Sequence, residues 1–266
     1  TKSYAQHVAL ATYYDAIVEL VDAYAEAYQG RYGVITDYPT DRFHYTREPK
    51  QYVKSLLAFA DTMRDSLPDD PELFLLARHS LGPRANPEDF LIVDMKGRIV
   101  SGKGTIPGEY PIHSEIFRAR PDVCSIIHYH GMHATAFSTS EFKYRPIHIM
   151  GTLFADGLPI YDDPRLVSTT ERGVALAKAL GPRTVSLMRG HGAVVVGHEL
   201  RATVYTAVYL ELNAKLQMQA EAMSKKVKFL TKGETQKVAA TTSMANINRA
   251  WENWCRKADR PYREQA

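Results

Sequence analysis

The sequence predicts a single α/β/α sandwich. Three observations carry that expectation. Short apolar, partly β-branched runs of strand length mix with helical patterns, without the strict β-α-β alternation of a doubly wound sheet. No Gly-rich loop of phosphate- or dinucleotide-binding type occurs. The 266 residues, 45% apolar and 24% charged, supply enough apolar material for one large core. We divide the chain into an N-terminal helical region at 1–70, a main domain at 71–258 that packs with it as one globular unit, and a tail at 259–266.

The elements follow in chain order. Ile17, Leu20, Val21, Tyr24 and Tyr28 recur at helical spacing, so 3–30 reads as a helix, and Gly30 and Gly33 break it. Residues 31–49 are polar, turn-rich and aromatic and read as loop. A second helix opens at Glu48-Pro49 and buries Val53, Leu56, Leu57, Phe59, Ala60 and Met63. The run Leu67-Pro68-Asp69-Asp70-Pro71 stops it. Strands are expected at 73–77, 90–94 and 99–101, joined by turns at Gly82-Pro83 and Lys96-Gly97. A helix at 112–119 enters through Pro111. Residues 123–130 are apolar enough for a buried strand, and a helix starts at His133. Ser168 is the expected cap of a helix at 168–180, with Glu171 completing a capping box and Gly181-Pro182 ending it. Core strands at 185–188 and 193–196 flank the turn Arg189-Gly190-His191-Gly192. Helices at 199–223, apolar on more than one face, and at 243–258 complete the chain.

Bulk properties remove several classes of function. A net charge of +3 with no dense Lys/Arg stripe gives no case for nucleic acid. The densest basic run, Lys225-Lys226-Val227-Lys228, ends a helical pattern and complements its dipole. No run approaches the roughly 18 apolar residues that span a bilayer. Two cysteines, Cys124 and Cys255, provide no disulfide framework, and with no signal-peptide layout at the N-terminus a cytoplasmic protein is expected.

The chemistry concentrates in three segments. On a strand, residues i and i+2 share a face, so His128 and His130 project side by side. His191 sits in a tight turn with Gly on each side, where backbone can pass close to a ligand. With a carboxylate from Glu115, three imidazoles form a plausible first shell for one divalent ion. Each feature alone reads equally well as packing or surface. Their combination points to metal.

That combination resembles the class II aldolase/adducin family. The resemblance runs from about Leu73 to Gly233, on Ile112-His113-Ser114-Glu115-Ile116-Phe117-Arg118-Ala119-Arg120-Pro121-Asp122-Val123, on Ile126-Ile127-His128-Tyr129-His130 and on Arg189-Gly190-His191-Gly192. It implies a class II aldolase-like fold with a central, mainly antiparallel or mixed sheet. It implies His128, His130 and His191 as ligands of one Mn, Zn, Fe or Co ion, and Glu115 as the acid/base that can also touch the metal. His113 is a second candidate for proton transfer. The family's phosphate-binding Ser pair reads His113-Ser114 here, and its Gly-Asn loop is absent, so sugar-phosphate cleavage is not expected. The nearest branch decarboxylates hydroxylated aromatic or heteroaromatic dicarboxylates. An aldolase acting on a non-phosphorylated substrate and a non-haem iron oxygenase are the alternatives. Arg78, His79, Ser80 and Arg189 are candidate substrate contacts. His133 and His148 read as structural, and Trp251 and Trp254 as packing between subunits. The resemblance further implies a homotetramer with sites at subunit interfaces.

Overall fold

The computed structural model describes residues 72–79, 89–241 and 243–258. The expected helices at 3–30 and 48–66, the Gly82-Pro83 turn, Ser80 and the 259–266 tail lie outside them.

Two sheets form among the described residues. Strands β1 (Leu73–Ala77), β2 (Phe90–Asp94) and β3 (Ile99–Ser101) make an antiparallel sheet in that order. The larger sheet has the order β4-β7-β6-β5, from β4 (Ser125–Tyr129), β5 (Ile160–Tyr161), β6 (Val185–Met188) and β7 (Gly192–Gly197). Only the β5–β6 pair is parallel. The helices are α1 (Tyr110–Ala119), α2 (Met132–Ser138), α3 (Thr170–Leu180), α4 (Leu200–Met223), α5 (Lys232–Ala239) and α6 (Met244–Ala258). A 3₁₀ helix covers Ile149–Phe154.

Side-chain alternation assigns the two faces of the larger sheet. Ile126, Val194 and Val196 join a core with Ile112, Ile116 and Phe117 of α1, Leu176 and Leu180 of α3, and Phe74 and Leu91 of the smaller sheet. Ile127, Tyr129, Ala193 and Val195 face the opposite way, onto Ala134 and Phe137 of α2 and Ala207, Leu210 and Ala214 of α4. Both faces are covered, so the strands carry apolar residues at nearly every position.

One boundary moves relative to expectation. The α3 cap is Thr169, whose hydroxyl accepts the Arg172 N–H, so Ser168 is not the cap and Glu171 does not sit where a capping box needs it. The polar residues buried along α4 are ordered by what they hold. Asn213 Oδ1 accepts the N–H groups of Ile147 and His148, and Nδ2 donates to Arg145 O. Gln217 accepts from Arg145 N at 2.9 Å and donates to Lys143 O at 2.8 Å. Two amide side chains thus satisfy five backbone groups of the segment 143–148.

Candidate metal centre

Helix α1 begins next to the end of β4. Glu109 is its N-cap residue, and Pro in the first turn removes one N–H that would otherwise lack a partner. The Glu109 side chain makes no cap bond to its own helix. Its Oε1 accepts the N–H of Val167 at 2.8 Å, from the connection between β5 and α3. Its Oε2 lies 3.6 Å from Nε2 of both His128 and His191.

His128 shares the face of β4 that points toward α1, and its Nδ1 lies 3.1 Å from Ala193 O. That bond places the proton on Nδ1 and leaves the Nε2 lone pair facing inward, the tautomer a metal requires. His130 follows directly after β4, and its Nε2 stands 3.2 Å from that of His128. His191 reaches the same point from the turn between β6 and β7. Gly190 there has φ +64°, and Gly192 lies so close to β4 that a Cβ would meet Tyr129 O at 2.3 Å. Ser138 of α2 fixes this turn by accepting the Gly190 N–H at 3.0 Å.

One donor atom from each of Glu109, His128, His130 and His191 lies within 4.8 Å of all the others. Donors at about 2.1 Å from a tetrahedral ion stand roughly 3.4 Å apart, which the 3.2 and 3.6 Å separations bracket. Both ring nitrogens of His191 are buried without a hydrogen-bond partner. Buried imidazole nitrogens left this way are costly unless a ligand completes them. The donor set therefore fits one divalent ion.

The electrostatics agree. Burial would raise the Glu109 carboxyl, but the His128 and His191 imidazoles and the Val167 N–H outweigh it and hold it well below the usual carboxylate range. Burial, then the neighbouring His128 and His191, lowers His130 to about 4. At neutral pH the acid is ionised and this imidazole is free to ligate.

The acid of the cluster is thus Glu109 rather than Glu115. Six residues further along α1, Glu115 has rotated to the α3 side, where a Cβ on Gly173 would meet its Cγ at 2.7 Å. It accepts from Arg118 and from Ser114 Oγ, and Arg118 also donates to Met95 O. Glu115 pins helix to helix and sheet.

The other expected residues are more dispersed. His113 is buried, and its Nδ1 has no hydrogen-bond partner. It feels the charges of His128 and Glu109 but does not join the ligand cluster. Arg78 donates from Nε to Asp89 at 2.7 Å, and His79 N–H bonds Thr105 O, on the segment that leads to Glu109. Arg189 pairs with Asp162, bracing the His191 turn. His133 binds Glu211. Trp254 packs within the chain, beside Tyr205 and Tyr209.

Burial, reinforced by His128 and opposed by Glu109, drops His113 to about 3 from an ordinary 6.5. A histidine kept neutral in the fold contributes stability above its unfolded pKa and loses it as the pH falls. Metal-free protein is therefore expected to weaken from pH 6.5 towards 3, by up to about 1.4 kcal/mol per pH unit from this group. Urea midpoints measured against pH check this. Equal slopes for wild type and His113→Phe would refute it.

Comparison with known proteins decides the family. A family model described as the class II aldolase and adducin N-terminal domain matches residues 66–218. The chain belongs to the class II aldolase and adducin family. A second model, for a family of unknown function, matches residues 1–74. Within the aldolase/adducin family, the chain is similar to the 3,4-dihydroxyphthalate decarboxylase of Arthrobacter keyseri, 28% identical over 175 residues, which cover 62% of this chain and 71% of the relative. It is 36% identical over 123 residues to the protein of the same name from Terrabacter sp. strain DBF63, covering 44% of this chain and 51% of that one. The match thus spans about half the length of the second relative. Among solved structures, an aldolase II superfamily protein from Pseudomonas syringae shares the fold, with TM-score 0.65 and 20% identity over 82% of this chain and 96% of the other. Within this family the chain is related to aromatic-acid decarboxylases. No helix among the described residues is long and apolar enough to cross a membrane.

Proposed function

We propose that the protein is a metal-dependent, non-oxidative decarboxylase of a hydroxylated aromatic or heteroaromatic acid. The observation that carries the reading is the cluster of three imidazoles with an ionised Glu109 held against them by Val167. The names of the two relatives support the substrate class. His128, His130 and His191 would hold the ion. When bound, it supplies a Lewis acid at the chelating hydroxyl and carboxylate of the substrate.

The chain's own residues handle the proton. Glu109 is ionised at neutral pH and takes the proton of the substrate hydroxyl as the substrate seats. The carbon–carbon bond then breaks, CO2 leaves, and its electron pair stays on the ring carbon. Glu109 returns its proton to that carbon, forming the C–H bond and restoring the carboxylate. No oxidant is consumed.

The test is an anaerobic assay of the metal-stripped protein, reloaded with Mn2+, Zn2+, Co2+ or Fe2+, on a panel of hydroxy-aromatic mono- and dicarboxylates. One CO2 per hydroxyarene formed is expected, with turnover falling to background after chelation. Release of an aldehyde without CO2 would select an aldolase. A requirement for O2 would select an oxygenase. No turnover across the panel with any metal would overturn the reading.

A further inference from the structure

His130 is the least enclosed of the three histidines. Part of it reaches solvent while its inner edge is enclosed, and it stands beyond the last ladder residue of β4. Its position must be set by what holds the chain on either side. Helix α2 follows at once, and its N-cap, Gly131, has no side chain with which to cap it. The cap comes instead from α4. Glu211, buried there, accepts the N–H of His133 at 2.8 Å and of Ala134 at 2.9 Å, and its Oε1 lies 2.6 Å from His133 Nδ1. The carboxylate presses on the backbone between His130 and α2: a Cβ on Gly131 would stand 2.7 Å from Glu211 Oε2. One turn earlier on α4, Ala207 O accepts the Tyr129 hydroxyl at 3.2 Å.

A local Ser or Asp would cap α2 equally well but leave it free to shift as a unit. A cap reaching in from α4 also fixes where the helix starts. Charge-assisted bonds to a buried carboxylate are the stronger kind. We propose that Glu211 is a positioning residue for the metal centre. With His133 as its partner and Tyr129 as the second anchor, it sets the path of the chain through His130. The proposal rests on the metal reading above.

The experiment uses the full chain, stripped of metal and titrated with Co2+ alone. It records affinity, the visible d–d spectrum and the melting temperature of the metal-free form. Glu211→Gln turns one acceptor oxygen into a donor facing a backbone N–H. Its Co2+ affinity is expected to fall by about 10–100-fold, with a changed d–d band. His133→Ala is expected to lose affinity in the same direction and by less. A merely structural role would lower the metal-free melting temperature and leave the affinity within about twofold and the spectrum unchanged, overturning the proposal. Should Glu211→Gln not fold, His133→Ala decides, since its unchanged affinity and spectrum would overturn it too. Wild-type protein that takes up no Co2+ would sink the metal reading and the proposal with it. Binding by wild type and equally by the variants sinks the positioning role alone.

Discussion

Glu109→Gln lowers kcat of the metal-saturated enzyme by about 10²–10⁴-fold, the usual contribution of one positioned acid/base. The amide keeps the shape and can still accept the Val167 N–H, but it cannot carry the proton between substrate hydroxyl and ring carbon. The companion variant, Glu115→Gln, keeps turnover and metal content and instead loses about 1–3 kcal/mol of stability, because a buried acceptor for Arg118 is weakened. Steady-state kinetics, metal analysis and urea unfolding of the two proteins separate the roles. Loss of turnover in Glu115→Gln with full metal content, and none in Glu109→Gln, would reverse the assignment.

Phe117→Ala is the substitution expected to cost most in stability, about 3–5 kcal/mol. Phe117 is fully buried, and its ring centroid lies 5.7 Å from that of Phe74 on β1. The pair joins the smaller sheet to the helix that begins at Glu109. Truncation leaves a cavity on the far side of that helix and forfeits the aromatic contact, against a total stability of typically 5–15 kcal/mol. Phe117→Leu fills most of the space and should cost less than half as much. Urea denaturation of both checks the ordering. A loss below about 1 kcal/mol for alanine would show that the smaller sheet and α1 are not coupled through this contact.

The three histidines of the cluster are legible in the sequence, and its acid is the instructive exception. The period of two puts His128 and His130 together wherever the strand lies. A Gly-flanked His191 between two apolar strands forms a turn by local chemistry alone. Choosing between Glu109 and Glu115 is a different problem. Both belong to the same helical segment, and which one meets β4 depends on how the helix is rotated against the sheet, a tertiary fact. A local cue existed: Pro111 marks the first turn, which places Glu109 at the lip of the helix, where the chain still points into the site. Glu211 carried no comparable signal, since it serves a helix some 80 residues away and reads as an ordinary helical acid. The small elements split the same way. The two-residue β5 is below any periodicity. Helix α5, by contrast, opens on a Thr231–Glu234 capping box, a pattern that the sequence itself carries.

The two amide side chains of α4 have a consequence for solubility. Asn213 and Gln217 bind the N–H and C=O groups of 143–148 in the way a neighbouring strand would. Those groups are the ones an extended segment of another molecule would seek. Two residues on one helix therefore deny a docking rail to stray chains, and replacing them would be felt first as aggregation in crowded solution.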